Sequence, residues 1–226
     1  MGLLVDLEHS IGLIYDAVSD PDEWNSALDA VRRLFEADAT LLVYGNLSTG
    51  DLGVVGATGF SQQVLREYER NHLNDDEMIR QSMDGPAGII ASSARSYRGK
   101  PFYRTSVYRR LLQPSDLAFI AGAAALNSRE VHASMWMARS ARSPDFSVRD
   151  LHVFSELLPH VARAMTAHHR IRQAELQAEM KKETGLPVVP WPGAEAPQLI
   201  VQEASSPETW TDAVPRFELM EPSQAA

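Results

Sequence analysis

Apolar residues return every three or four positions through Leu3, Leu4, Leu7, Ile11, Ile14, Tyr15 and Val18, which is the period of an amphipathic helix. Asp20, Pro21 and Asp22 then supply a stop and a fresh start, with proline near the first helical position. Trp24, Leu28, Val31, Leu34 and Phe35 make the stripe of a second helix. At Asp38 the period changes. Thr40 to Tyr44 and Leu52 to Ala57 read as strands, and the Ser48, Thr49, Gly50, Asp51 cluster between them predicts a hairpin. Ser61 is placed to cap a helix from Gln62 to about His72. A polar stretch with Asp75, Asp76 and Glu77 leads to a short helix near Met78 to Met83.

The Gly85, Pro86 turn predicts a short strand around Gly88 to Ser92. The basic, aromatic stretch Tyr97 to Tyr108 joins it to a helix ending near Leu112, where Pro114 breaks it. Leu117 to Leu126 and Val131 to Arg139, separated by Asn127, Ser128 and Arg129, form a second hairpin. The working count is five strands, and the order of elements is that of an α+β layer fold with a mainly antiparallel sheet.

The longest pattern comes next. Ser147 and Asp150 form a variant capping box, and Leu151, Phe154, Leu158, Val161, Met165 and His168 follow at alternating three- and four-residue steps. Leu157, Ala164, Ile171 and Leu176 widen that stripe, and the helix runs to about Lys182. Proline lacks the N–H that an interior helical position donates, so Pro159 predicts a kink or a restart near Leu158. Leu158, Val161, Met165 and Ile171 offer a surface for a partner helix. The expected organisation is a sensor-like domain over residues 1–146, a dimerisation helix over 147–183 and an extended tail over 184–226.

Composition narrows the function. The 226 residues are 44% hydrophobic, enough to bury a core. No apolar stretch approaches the roughly 18 residues that span a bilayer, and no secretory leader pattern opens the chain, so a soluble cytoplasmic protein is expected with no membrane contact. There are no cysteines, which excludes disulfides and thiolate chemistry. A net charge of -9 argues against direct nucleic-acid binding, because that affinity rests on Lys and Arg displacing counterions from phosphates. The tail holds Pro187, Pro190, Pro192, Pro197, Pro207, Pro215 and Pro222 with Arg216 as its only basic residue after Leu186, a composition that favours an extended chain.

Enzyme chemistry finds no support in the pattern. Seven histidines invite a metal site, but His152, His160 and His168 are spaced eight apart, about 80° out of phase on a helix. No His-Glu-x-x-His, Gly-x-Ser-x-Gly, Gly-x-Gly-x-x-Gly or Walker pattern occurs, so no metal, catalytic residue or cofactor is assigned. Arg95, Arg98, Lys100, Arg104, Arg109 and Arg110 form a basic cluster suited to an anion or a solvated face. Tyr44, Phe60, Tyr68, Tyr103, Tyr108, Phe119 and Trp136 are expected to converge on the sheet, as core or as the wall of a small-molecule pocket.

Several of these residues carry a family resemblance. They are Trp24; Tyr68 and His72 before Asp75 and Asp76; Ser106, Tyr108, Leu111, Leu112 and Pro114 before a strand; Arg139; Phe146, Ser147 and Asp150; and Leu158, Pro159, His160, Arg163 and Ala164. In that order they resemble the N-terminal sensor region of LuxR-type bacterial transcription regulators, over about residues 5–180. The resemblance implies a GAF- or PAS-like α+β fold with a small organic ligand, and Tyr44, Tyr68, His72, Asp76, Tyr108 and Trp136 are the expected ligand-facing residues. Where the family pattern has Asp-Pro, this chain has Asp76-Glu77. The helix-turn-helix that usually follows in such regulators has no counterpart in the tail. A non-enzymatic regulatory homodimer is therefore expected, acting on a transcription regulator or a polymerase component by contact. Two alternatives remain: an activator that reaches DNA by an unrecognised module, and a small-molecule enzyme on a GAF-like scaffold.

Overall fold

The computed structural model describes residues 2–93 and 102–184. The chain opens with α1 (Gly2–Ser19) and α2 (Trp24–Leu34), then the hairpin β1 (Ala39–Asn46) and β2 (Asp51–Thr58). Next come α3 (Gln62–Asn71), α4 (Glu77–Asp84) and the two-residue β3 (Ala91–Ser92). A π-helical turn over Tyr108–Leu112 precedes the long hairpin β4 (Leu117–Asn127) and β5 (Val131–Ser140), and α5 (Val148–Thr184) closes the described chain. The five strands form one antiparallel sheet in the order β2-β1-β5-β4-β3. This is the α+β architecture expected from the sequence. The tail, and the Arg95, Arg98 and Lys100 part of the basic cluster, lie outside the described residues.

Strand alternation divides the core into two layers, because successive side chains of a pleated strand point to opposite faces. Leu42, Ala133, Met135, Met137, Ala121 and Ala123 face α1, α2 and α5, where Ile14, Trp24, Leu28, Val31, Phe154, Leu157, Val161 and Met165 meet them. Leu41, Val43, Trp136, Ala138 and Ile120 face the other way. There they pack with Tyr68, Leu73, Met78, Ile79, Val107, Leu111 and Leu112 from α3, α4 and the π-helical turn. We call these the helix layer and the cavity layer.

Local chemistry accounts for most boundaries. Asp20 accepts the Asp22 N–H at the turn between the first two helices, and Ser61 accepts the Val64 N–H to start α3. At the start of α5 the Ser147 hydroxyl accepts the Asp150 N–H at 3.2 Å and the Asp150 carboxylate accepts the Ser147 N–H at 2.8 Å, so the capping box is reciprocal. Before β4, the Gln113 N–H bonds back to the Tyr108 carbonyl, and Pro114 and a left-handed Asp116 at φ 57 end the turn.

Three expectations change. The strand predicted over Gly88 to Ser92 shrinks to Ala91–Ser92, because Gly88 takes a left-handed φ of 86 and meets β4 only through its N–H to the Ala124 carbonyl at 2.8 Å. Pro159 does not restart the last helix, since α5 is continuous from Val148 to Thr184 with the proline inside it. Leu158, Val161 and Met165 are buried against the chain's own sheet, so they cannot also form a partner surface; of that set only Ile171 is exposed.

Two contacts tie the layers to the sheet. Trp136 stands opposite Gly122, and a Cβ built on that glycine would come within 2.1 Å of the indole, so only glycine lets the ring lie on the strand. Arg139, buried, reaches five neighbours. Its guanidinium donates to the carbonyls of Phe35, Pro144 and Asp145, pairs with Asp150 at 3.4 Å and stacks on Phe146 at 4.3 Å. It therefore joins the end of α2, the last strand and the start of α5. Gly122→Ala should destabilise the domain by roughly 1–3 kcal/mol through overpacking, and Arg139→Met by roughly 2–4 kcal/mol through orphaned acceptors. Urea unfolding followed by circular dichroism measures both, and a loss under about 0.5 kcal/mol in either would contradict the assigned contact.

Candidate functional site

The polar centre of the cavity layer is a tyrosine–aspartate pair. Tyr68 stands on the buried face of α3, and Asp76 occupies the N-cap of α4. One oxygen of Asp76 accepts the Met78 N–H at 2.7 Å and the Ile79 N–H at 3.2 Å, and the other accepts the Tyr68 hydroxyl. Asp76 is 1% exposed. Burial raises its pKa against the three hydrogen bonds that favour the charged form, while burial and the adjacent carboxylate push the Tyr68 phenol well above its ordinary value. Tyr68 thus acts as a neutral donor to a carboxylate held in an apolar layer.

A cavity of about 20 Å³ opens beside the pair, lined by residues that include Leu41, Phe60, Ile120 and Trp136. That volume is room for about one water molecule. On the far side of Trp136 and Met78 lies an open groove of about 180 Å³, bounded by Gln81, Ser82, Pro86, Ile89, Gly122 and Ala124. Among the described residues no charged side chain lines this groove. Trp136 and Met78 border both spaces, so they form the wall between them. The indole Nε1–H donates to Ser134 Oγ at 3.0 Å, which sets the orientation of the wall.

The residues singled out from sequence separate into three groups. Tyr68, Asp76 and Trp136 meet at the cavity. Tyr108 and His72 belong to the same side without lining it: Tyr108 packs on Phe102 and Tyr103 at centroid distances of 5.4 and 4.8 Å, and His72 turns its Nε2 toward Glu67 at 3.8 Å. Tyr44 is on the opposite face. Its neighbours Val43 and Leu41 take the cavity side of β1, so alternation sends Tyr44 to the helix layer, where its hydroxyl bonds His169 Nδ1. Convergence of all seven aromatics on one pocket is therefore corrected, because residues an odd number of positions apart on a strand cannot share a face.

Sequence reasoning missed the support behind the groove. Asn127 Nδ2 donates to the carbonyls of Met83 and Gly85 at 2.6 and 2.7 Å, gathering the free carbonyls at the end of α4. Buried His132 reaches Ser82 Oγ at 3.3 Å, and burial pulls its imidazole down to about 4. The serine, histidine and asparagine stand in line, yet the Ser82 hydroxyl donates to the Ile79 carbonyl at 2.7 Å and the histidine is a poor base at neutral pH. They clamp a helix end. The available signal was the placement of Asn127 and His132 at the hairpin, which a turn-residue reading absorbs completely. Among the described residues no group of three or more His, Cys, Asp or Glu is arranged to hold a metal ion, and no helix is long and apolar enough to cross a membrane.

A scan against family models finds no match, and neither does a search of curated proteins. Solved structures do match. The VqsR ligand-binding domain from Pseudomonas aeruginosa superposes with a TM-score of 0.56 at 13% identity, covering 72% of this chain and 96% of that one. The N-acylhomoserine lactone dependent LuxR family transcription factor CepR2 from Burkholderia cenocepacia gives 0.54 at 11%, covering 76% and 99%. The phycoerythrobilin-bound GAF domain of a cyanobacterial phytochrome gives 0.54 at 12%, covering 76% and 98%. At these identities the likeness is one of architecture, and this chain has the GAF-like α+β fold: a five-stranded antiparallel sheet between helices, closed by a long C-terminal helix.

Proposed function

We propose that this chain is a non-enzymatic regulatory sensor domain that takes a small, uncharged organic molecule in the cavity layer and acts through protein contact made by α5. The observation that carries this reading is the Tyr68–Asp76 pair. A helix cap at the surface would serve α4 equally well, whereas here the carboxylate is held almost without solvent beside an apolar cavity and the indole of Trp136. Such a group orients a ligand by a single charge-assisted hydrogen bond, surrounded by a wall that gains from apolar contact.

The fold supports the same reading. One structural neighbour is named for its dependence on an N-acylhomoserine lactone and another for its bound phycoerythrobilin, so this architecture is compatible with small organic ligands in those proteins. In this chain the cavity beside the pair, about 20 Å³, is smaller than any such ligand. Binding therefore requires the Trp136–Met78 wall to yield and join the cavity to the groove behind it, a shift of population toward a more open form. Trp136 is flanked in β5 by Met135 and Met137, whose side chains pack in the helix layer, so movement of the indole strand reaches α5 directly.

Ile171, Leu176 and Met180 leave apolar surface exposed on the distal part of α5, at 41%, 45% and 47%. We assign homodimerisation to this segment rather than to the buried stripe before it. A transcription regulator or a polymerase component remains the proposed target, on the same contact logic.

Two outcomes test the proposal. In a thermal-shift screen of uncharged organic compounds, those that stabilise the wild type should bind Asp76→Asn and Trp136→Leu about tenfold or more weakly, consistent with one lost charge-assisted hydrogen bond or one lost aromatic wall. Compounds that stabilise both variants as strongly as the wild type would place binding elsewhere. Light scattering after gel filtration should give twice the 25.0 kDa chain mass, and Ile171→Glu should return it to one. A wild-type chain that elutes as a monomer at tens of micromolar removes the homodimer.

A further inference from the structure

The helix layer holds a row of histidines that neither the ligand reading nor the dimer reading uses. His160, His168 and His169 all sit on α5, and each meets an aromatic side chain from a different element of the domain. The Tyr15 hydroxyl of α1 lies 3.1 Å from His160 Nδ1, with the rings edge to face. His168 lies between Trp24 at the start of α2 and Tyr44 of β1, with ring centroids 6.0 Å away in both cases. His169 Nδ1 bonds the Tyr44 hydroxyl. Three elements are thus fastened to one helix by three imidazoles.

The position of this row along α5 gives it its meaning. The buried face of the helix runs through Leu157, Val161, Ala164 and Met165 and ends at His168, which is 8% exposed. The next residues on that face, at steps of three and four, are Arg172, Glu175 and Glu179. Arg172 and Glu175 are solvent-exposed and pair with each other at 3.4 Å. His168 is therefore where the helix leaves the domain.

The surroundings favour neutral rings. Charges facing His168 are Arg172, Glu175 and His169 on its own helix, while α2 and β1 present only Trp24 and Tyr44. Among the described residues the buried Trp24 indole N–H has no hydrogen-bond partner, and no carboxylate of α2 or β1 is among the charges facing His168 to balance an imidazolium. His169 faces Glu130 of the β4–β5 turn, Arg170 and Tyr44; His160 faces Arg163, Glu156 and Tyr15. Among the described residues none of the three is in an ion pair.

We propose that His160, His168 and His169 form a proton-operated latch: neutral, they dock α5 on α1, α2 and β1, and protonated, they loosen that docking and change how the distal segment of the helix leaves the domain. Burial lowers the pKa of all three in the docked state, so docking takes up fewer protons than release. Docking is complete above the ordinary histidine value of about 6.5 and is lost as pH falls through the lowered values. This inference does not rest on a ligand, since the row lies across the sheet from the cavity.

Hydrogen–deuterium exchange of the full chain at pH 7.5 and 5.5, normalised for intrinsic rates, tests it. Exchange across residues 160–176 should rise about tenfold or more at pH 5.5, while β4 and β5 stay protected. His168→Gln with His169→Gln, which keeps polar rotors that do not titrate, should abolish most of that rise. An unchanged wild type, a rise spread evenly over the sheet, or an equal rise in the double variant each overturns the latch. Should the double variant fail to fold, histidine ring resonances of the wild type followed by NMR decide, because titration of His168 and His169 at or above about 6.5 contradicts a docked state that resists protonation.

Discussion

Everything in this domain depends on the pleat of its two central strands. Both faces of the sheet are buried, so each position of β1 and β5 is committed to one layer, and a slip of one residue would exchange the layers completely. Trp136 can close the cavity only because Met135 and Met137 are on the other side, packed against α5. Leu41 lines the cavity and Val43 packs in the same layer, while Leu42 and Tyr44 face the helices. One strand thus carries the wall of the cavity and part of the seat of α5. Because neighbouring side chains share a rigid backbone, a shift of the first is felt at the second without any long pathway.

Two fixed points make that arrangement usable. Gly122 admits the Trp136 ring flat against the strand, and Ser134 orients it through the indole N–H. Arg139 anchors the opposite end, holding the start of α5 to the end of α2 and the last strand. The helix is therefore firm where it begins and largely exposed after His169. Around Pro159 and the histidine row the proline leaves the Ser155 carbonyl without its helical donor, and imidazole edges pack beside the buried Val161, Ala164 and Met165.

Much of this was legible in the order of residues, and the exceptions have definite causes. Helix starts were readable because caps are local: Ser61, Asp20 and the Ser147–Asp150 box satisfy backbone groups two or three residues away. The β1–β2 and β4–β5 hairpins were readable because both partners lie close in sequence. The face of Tyr44 was misjudged because an aromatic residue reports burial and not direction; counting from Leu41 and Val43 would have placed it. The stripe Leu158, Val161, Met165 was offered to a partner because an amphipathic helix cannot say whether its apolar side meets its own sheet or another chain. The start of β3 was placed three residues early because Gly88 spends its freedom on a left-handed turn. Asn127 and His132 escaped because their partners, the Met83 and Gly85 carbonyls and the Ser82 hydroxyl, lie 42 to 50 residues away, a relation with no local signature.

The claim that binding in one layer is read out in the other can be tested by exchange under ligand rather than under acid. With a compound that stabilises the wild type, hydrogen–deuterium exchange at pH 7.5 should slow in α3, α4 and the π-helical turn, and should change as well in α5 between residues 160 and 176, across the sheet. Protection confined to the cavity layer, with α5 unchanged, would contradict a sensor that signals through its last helix.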